Sequence, residues 1–402
     1  MQNKMTNLPQ GWEVKKLEEI ANIKGGKRLP KGENLLDNNT KFAYIRVADF
    51  QDNGTINLQN IKFINENTYN VLKNYKIYDD NLYISIAGTI GKSGIIPKEL
   101  NGAILTENAV KLEYIQNNIS NKFMYFFTLS NIFKTQIQTS TKIVAQPKLA
   151  ITRLKQIQIP LPPLKEQERI VGILDESFAK IDESIKILEQ NLLNLDELMQ
   201  SALQKAFNPL KDNAKENYKL PQSWEWKSLE EISENISAGG DKPKNCTESK
   251  TAKNQIPVYA NGVNNNGLVG YTDKATIIKP SLTISARGTI GFVCIRKEPY
   301  FPIVRLISLI PCKNILCLHY LYFCLNFFIA KGEGSSIPQL TIPKFKSLQI
   351  PLPPLKEQEQ IAKHLDFVFE KTKALKELYT KELKDYEEIK QSLLNKAFKG
   401  EL

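Results

Sequence analysis

Transition-metal and thiol chemistry would need histidines and cysteines held together, and this chain of 402 residues offers two and five of them. His319 lies in an apolar stretch and is expected to be a core residue; His364 lies in a long amphipathic one. Cys246, Cys294, Cys312, Cys317 and Cys324 form no CxxC pair, so free thiols in a reducing cytoplasm are the expected state. No GxxxxGK[ST] phosphate loop, GxGxxG turn or Asn/Asp-Pro-Pro-aromatic tetrapeptide occurs. A metal, a cofactor and a catalytic centre are therefore not expected in this chain.

The chemistry that the residue types do favour is recognition of a polyanion. Near a Gly25-Gly26 pair stand Lys24, Lys27, Arg28, Lys31 and Arg46, followed by Lys92, Lys142 and Lys148. Near Gly239-Gly240 stand Lys242, Lys244, Lys250 and Lys253, then Tyr259, Asn261, Asn264, Asn265, Asn266 and Tyr271, then Arg287. Lysine neutralises phosphates, arginine pairs with a guanine edge and asparagine with an adenine edge, and glycine lets a backbone approach a phosphate closely. The run Asn261–Gly270 is too rich in glycine and asparagine for a helix or a central strand and is expected to be a loop.

Charge is distributed to suit. The stretch 165–207 carries five basic and nine acidic residues and the stretch 356–402 carries ten of each, so the chain's net +11 becomes +15 on the remainder. The excess lies outside the two stretches that read as long helices, and a basic surface binds polyanions by releasing counterions.

The elements that must position these residues occur twice. The block QIPLPPLKEQE fills 158–168 and again 349–359. Leu8–Ile20 is echoed by Leu220–Ile232, and Ile84–Gly91 by Ile284–Gly291, each with Gly-Thr-Ile-Gly at its end. The offset between copies falls from 212 to 200 to 191, so the second copy has lost about twenty residues from its middle. The Gly-Thr-Ile-Gly segments are expected to shape turns. Ile315–Ala330 is apolar except at His319 and Asn326, but it is short for a bilayer, and a buried helix is expected.

Each proline block opens a long amphipathic helix that ends in Ala-Phe, at 206–207 and 397–398. Leu174, Phe178, Ile181, Ile185, Leu188, Leu192, Leu195, Met199, Ala202 and Ala206 follow alternating steps of four and three, the seam of a coiled coil. The second helix reads Leu365, Val368, Thr372, Leu375, Tyr379, Leu383, Tyr386, Ile389, Leu393 and Ala397, with a break after Tyr379. Two such helices in one chain pair most simply with each other, antiparallel; pairing between two copies of the chain is the rival. About forty residues at about 1.5 Å each make a rod on the order of 60 Å. The expected fold is mixed α/β: tandem globular recognition domains, each followed by a long α-helix, with the two helices forming an antiparallel coiled coil of pseudo-twofold symmetry. The segments would be 1–162 (first domain), 163–208 (first helix), 209–353 (linker and second domain) and 354–402 (second helix).

The Leu-Pro-x-x-Trp-Glu-x-Lys-x-Leu-Glu-Glu-Ile openings, the paired Gly-Thr-Ile-Gly turns and the Ile-Pro-Leu-Pro-Pro-Leu-x-Glu-Gln blocks, all present twice and in order, resemble the DNA-specificity (S) subunit of type I restriction-modification systems. The resemblance covers essentially the whole chain. It implies two target-recognition domains, each reading half of a split duplex DNA target, and two helices that act as a spacer and dock two methyltransferase (M) subunits. It implies adenine methylation with S-adenosylmethionine on the M subunits. With two restriction (R) subunits it implies cleavage of unmodified DNA using ATP and Mg2+, again on the partners. No membrane partner is implied. Which residues touch bases does not follow from the resemblance.

Overall fold

Segments that lie far apart in sequence, the tryptophan-bearing openings and the proline blocks, are hydrogen-bonded neighbours in the computed structural model, which describes residues 8–38, 40–140, 148–211, 222–329 and 339–402. Contacts divide the chain into two units. One comprises Met1–Leu188 with Lys381–Leu402, the other Glu189–Thr380. The division thus cuts through both long helices, and each unit owns part of each.

The first unit starts with β1 (Glu13–Lys16), α1 (Leu17–Ile20), β2 (Ala21–Gly25), β3 (Ala43–Ile45), β4 (Lys62–Phe63), α2 (Glu66–Val71) and β5 (Lys76–Ile77). It continues with β6 (Leu82–Ser85), β7 (Ser93–Ile95), β8 (Ala103–Leu105), β9 (Ala109–Tyr114), α3 (Asn121–Leu129), α4 (Asn131–Ser140), α5 (Ile151–Lys155), β10 (Gln158–Leu161) and the long α6 (Leu164–Lys211). An antiparallel sheet runs in the order β2-β9-β6-β7 and a mixed sheet in the order β4-β3-β8-β5. Alternation along β6 explains how they stack. Leu82 and Ile84 enter the core beneath α3, with Phe123, Met124 and Phe127, whereas Tyr83 enters the core shared with Ile45, Phe50 and Leu105. The first sheet is therefore covered on both faces.

The second unit repeats the plan with fewer parts: β11 (Glu225–Ser228), β12 (Ser233–Ala238), β13 (Ile256–Tyr259), β14 (Leu268–Thr272), β15 (Ser281–Ile284), β16 (Val293–Arg296), β17 (Phe301–Pro302) and β18 (Ile307–Pro311). Then come α7 (Leu318–Phe328), α8 (Ile342–Lys346), β19 (Gln349–Leu352) and the long α9 (Leu355–Ala397). The sheets run β12-β18-β15-β16 and β14-β13-β17. The counterpart of β5 is reduced to one bridge, Ile277 to Tyr300, and α2 has no counterpart among the described residues, which accounts for the shortened middle. Leu268–Gly270, expected in a loop, instead begins the edge strand β14. An edge tolerates Gly270, whose added Cβ would lie 2.6 Å from the Thr247 carbonyl oxygen. α7 is the buried helix expected from Ile315–Ala330: Tyr320, Leu321, Phe323, Cys324 and Leu325 are buried. No helix among the described residues is long and apolar enough to cross a membrane.

The proline blocks form strands. Glu13–Lys16 pairs antiparallel with Gln158–Leu161, Val14 facing Pro160, and Glu225–Ser228 pairs with Gln349–Leu352, Trp226 facing Pro351. A two-stranded ribbon has only edge positions, so the missing proline N–H is tolerated. Just past each ribbon a glutamine of the repeat is buried. The Gln167 side-chain oxygen accepts the Ser120 backbone N–H at 2.9 Å, and its nitrogen donates to the Asn118 and Pro162 carbonyls at 3.1 and 2.9 Å. Gln358 repeats this with the Cys317 N–H at 2.9 Å and the Ile315 and Pro353 carbonyls at 2.9 and 2.8 Å. Each glutamine thus ties the start of α6 or α9 to the start of the apolar helix, α3 or α7, of its own unit.

The long helices pack together along the expected seam. On α6 it comprises Leu174, Phe178, Ile181, Ile185, Leu188, Leu192, Leu195, Met199, Ala202 and Ala206, all buried or half-buried. On α9 a matching run of buried and half-buried positions comprises Gln358, Ala362, Leu365, Phe369, Thr372, Lys376, Tyr379, Leu383, Tyr386, Lys390, Leu393 and Ala397. Their steps alternate four and three without interruption. The break expected after Tyr379 is therefore absent. Lys376 and Lys390, 29% and 17% exposed, occupy seam positions, while Leu375 and Ile389 are 39% and 46% exposed. A lysine stem covers apolar surface while its head stays wet, so an apolar-only reading of the seam misses it. Lys390 pairs with Asp182 of α6 at 2.5 Å in the first unit, and Lys376 pairs with Asp196 of α6 in the second. The two pairs lie fourteen residues apart on both helices and run in opposite directions, as antiparallel packing requires.

The Ala-Phe endings plug hydrophobic holes. Phe207 of α6 packs against Tyr320, Phe327 and Phe328 of α7. Phe398, just past α9, packs against Phe123 and Phe127 of α3. Each long helix therefore starts from one copy's apolar helix and ends on the other's.

Candidate nucleic-acid interface

In each unit the β6–β7 or β15–β16 hairpin closes through Gly-Thr-Ile-Gly. Gly88 and Gly91 have φ of +74° and +90°, and Gly288 and Gly291 have +67° and +81°, values that suit glycine. The Gly91 N–H donates to the Ser85 carbonyl at 2.9 Å and the Gly291 N–H to the Ser285 carbonyl at 3.0 Å. An added Cβ on Gly88 or Gly288 would meet nothing within 4 Å, so both turn tips face open space. Three further segments gather at this end of each unit. One is the Gly-Gly pair, where the Gly26 N–H donates to the Ala109 carbonyl at 2.9 Å and the Gly239 N–H to the Leu306 carbonyl at 2.8 Å. Another is the turn before β9 or β18. The third passes beside the hairpin: the Leu149 N–H donates to the Ile86 carbonyl at 2.9 Å and the Leu340 N–H to the Ala286 carbonyl at 3.2 Å. The first glycine-pair contact explains Gly26, whose Cβ would lie 2.1 Å from the Thr106 carbonyl oxygen.

In the first unit this arrangement gathers Arg28, Lys148 and the turn residue Glu107. Lys148 bridges to Ala87, the residue before Gly88. The Arg28 guanidinium lies 2.7 Å from Glu107 and is 79% exposed. Burial pushes the Glu107 carboxyl up, but hydrogen bonds from Arg28 and Thr106 outweigh it and hold the group below the ordinary glutamate range. Lys27 is exposed at the same strand end, its ammonium 5.9 Å from the Tyr75 ring centre. Lys142 lies outside the described residues.

Other first-unit candidates are engaged within the fold. Arg46 holds buried Asp49 through two bonds of 3.0 and 2.6 Å and donates to the Asn60 carbonyl at 2.9 Å. Lys24 pairs with Glu113 at 2.6 Å and Lys92 with Asp52 at 2.7 Å.

The second unit places Arg287 on the open hairpin tip, donating at 3.0 Å to Gln339, the counterpart of Lys148. Asn261 is a structural clamp. Its side-chain oxygen accepts the Ala286 N–H at 2.8 Å, and its nitrogen donates to the Val304 carbonyl at 2.6 Å, so both ends of its amide are engaged within the fold. Asn264 and Asn265 are exposed in the turn before β14, with Asn265 at φ +48°. Lys250 sits 5.6 Å from the ring centre of Tyr271, and the Arg296 guanidinium lies 3.6 Å from that of Tyr259. Lys242 and Lys244 are exposed.

No group of three or more His, Cys, Asp or Glu side chains suited to a metal occurs among the described residues. All five cysteines are free. Burial pushes the Cys294 and Cys324 thiols up, which disfavours a reactive thiolate. His319 departs from expectation. It is a half-exposed helix residue, not a core one, and its Nδ1 lies 2.7 Å from Asp366 of α9.

Known proteins share this organisation. The family profile described as the type I restriction modification DNA specificity domain matches residues 9–193 and 221–385. A protein of Mycoplasma pneumoniae described as a type I specificity subunit is 30% identical over 357 residues, covering 87% of each chain. A solved structure concerning complex assembly and conformational transition of a type I R-M system superposes with a TM-score of 0.80 at 20% identity, over 98% of this chain and 100% of that one. The crystal structure of the HsdS subunit of Thermoanaerobacter tengcongensis does so with a TM-score of 0.62 at 20% identity, over 100% of both chains. At these identities the two structures bear on fold alone.

Proposed function

This chain belongs to the type I restriction-modification DNA-specificity family, and from that premise we propose that its two units each read one half of a split duplex DNA target while α6 and α9 set the distance between the halves. The observation that carries this reading is the paired construction of the candidate interface. The same four segments converge on the same open hairpin tip in both units, yet the side chains differ: Arg28, Glu107 and Lys148 in one, Arg287, Arg305 and Gln339 in the other. Similar scaffolds with different residues suit a target whose halves differ in sequence.

In this reading the chain is not itself an enzyme and binds no cofactor. It recruits two M subunits, which carry S-adenosylmethionine and methylate adenine, and two R subunits, which cleave unmodified DNA with ATP and Mg2+. The seam residues are spent on helix pairing, so docking falls to apolar residues outside the seam. Ile187 and Leu198 of α6 lie eleven positions apart and are 55% and 51% exposed; Phe367, Leu378 and Ile389 of α9 recur at the same interval and are 59%, 49% and 46% exposed. Eleven residues is three turns, which puts each set on one face of its helix.

Sequencing of methylated adenines in the host genome, with and without this gene, tests the reading. A two-part motif with a constant gap should vanish with the gene. Mobility shifts of duplex DNA by the chain with its M subunits should weaken steeply with salt. An adaptor without DNA contact would leave the methylated motif unchanged and shift no DNA.

A further inference from the structure

The two units differ in backbone conformation at the turn that joins the paired sheets. In the second unit this turn is Ile303–Leu306, between β17 and β18. Val304 and Arg305 have φ of +54° and +60°, and the other described non-glycine residues with positive φ are Asn265 and Asn266. Asparagine tolerates that region; a β-branched valine there is a genuine outlier, of the kind that surrounding structure must hold in place. Here the surroundings do so. The Val304 and Arg305 N–H groups donate to the Gly240 and Gly239 carbonyls, both at 2.8 Å, and the Asn261 side chain donates to the Val304 carbonyl at 2.6 Å.

The strained turn sets Arg305 exposed at the lip of a cleft of about 410 Å3, lined also by Gly239 and Gln339. Its guanidinium has no hydrogen-bond or ion-pair partner among the described residues. Arg287, by contrast, is already bonded to Gln339, which lines the same cleft. The first unit's counterpart turn, Thr106–Ala109, keeps the same closing bond, from the Ala109 N–H to the Thr106 carbonyl at 3.2 Å, and lies against the same glycine pair. It has no left-handed residue, and it carries Glu107, bonded to Arg28, and Asn108 where the second unit has Val304 and Arg305.

We propose that Arg305 reads a guanine in the half-site bound by the second unit. This rests on the reading that the second unit binds duplex DNA. A planar guanidinium with all its donors unoccupied matches the O6 and N7 acceptors of guanine. The rigid turn aims it before binding, so less is lost in ordering it than for a lysine on a mobile loop.

The test uses the full chain assembled with M subunits of the same host, in wild-type, Arg305→Ala and Arg305→Lys forms, acting on a duplex library randomised in both half-sites. Sequencing of methylated adenines reads the motif. The expected result is loss of preference at one guanine position, by about tenfold or more, in both variants. The other half-site should keep its full motif, which also shows that the assembly is folded and active. An unchanged motif in Arg305→Ala overturns the proposal. So does an equal loss on all sequences with a shallower salt dependence, which would mark a phosphate contact. A wild-type complex with no split motif would instead overturn the DNA-reading function itself.

Discussion

The glutamine in Lys-Glu-Gln-Glu looks like one more solvated side chain, yet Gln167 and Gln358 are 1% and 0% exposed. Their type reveals nothing of this; only their identity in both copies hints at it. Gln358→Leu would leave the Cys317 N–H and the Ile315 and Pro353 carbonyls without their partner. Each buried group so stranded costs about 1–3 kcal/mol, so chemical denaturation should show a lower midpoint, with the same direction for Gln167→Leu. Wild-type stability in either variant would show that the latch contributes nothing. The candidate DNA contacts were legible in kind and only partly in place. Arg28, Lys148 and Arg287 come to the shared end of their units, because each lies in a segment bonded to the glycine pair or the hairpin tip. Arg46 and Asn261 have the right chemistry for bases but spend it on Asp49, Asn60, Ala286 and Val304. A sequence cannot show such partners, because they come from positions up to 43 residues away.

At the level of helices and strands, periodicity was the reliable guide. It placed the α6 seam at the observed residues and misplaced two in α9, choosing the exposed Leu375 and Ile389 where the structure uses the half-buried Lys376 and Lys390. Ile185 and Met199 are the α6 counterparts of the two lysines. Charged residues at seam positions specify register at some expense of stability. Replacing both lysines by leucine should therefore raise the melting temperature while allowing other registers, seen as an added dimeric or heterogeneous species in size-exclusion chromatography with light scattering. A lower melting temperature with a single monomeric species would refute the register role. The proline blocks form strands. Their partners, the tryptophan-bearing openings, were not visible as partners, since Val14 and Pro160 are brought together only by the intervening fold.

Across the whole chain, the endings of the long helices connect the copies. Phe398→Ala should destabilise the first unit and Phe207→Ala the second, because each ring fills the apolar helix core of that unit. Large aromatic truncations in a core cost about 3–5 kcal/mol. Hydrogen exchange should quicken in α3 for the former and in α7 for the latter; the reverse assignment would contradict the contacts. The spacer is open to a direct test. Removing 183–196 from α6 and 376–389 from α9 keeps the Asp182–Lys390 pair and the heptad phase, and shortens the helix pair by fourteen residues. That is about 21 Å, or about six base pairs of duplex. Methylation mapping should find the gap shortened by about that amount or the activity lost, and an unchanged gap would refute the ruler. Much of this was written in one dimension. Repetition, heptad steps and the paired motifs set the number of units, the helices and the family, because duplication and periodicity can be read along the chain. The tertiary structure alone decided which cations remain unpaired, which glutamines are buried and where Val304 and Arg305 are forced into left-handed backbone. Those outcomes depend on partners from other strands, and neither composition nor spacing encodes which atoms will face each other once the sheets stack.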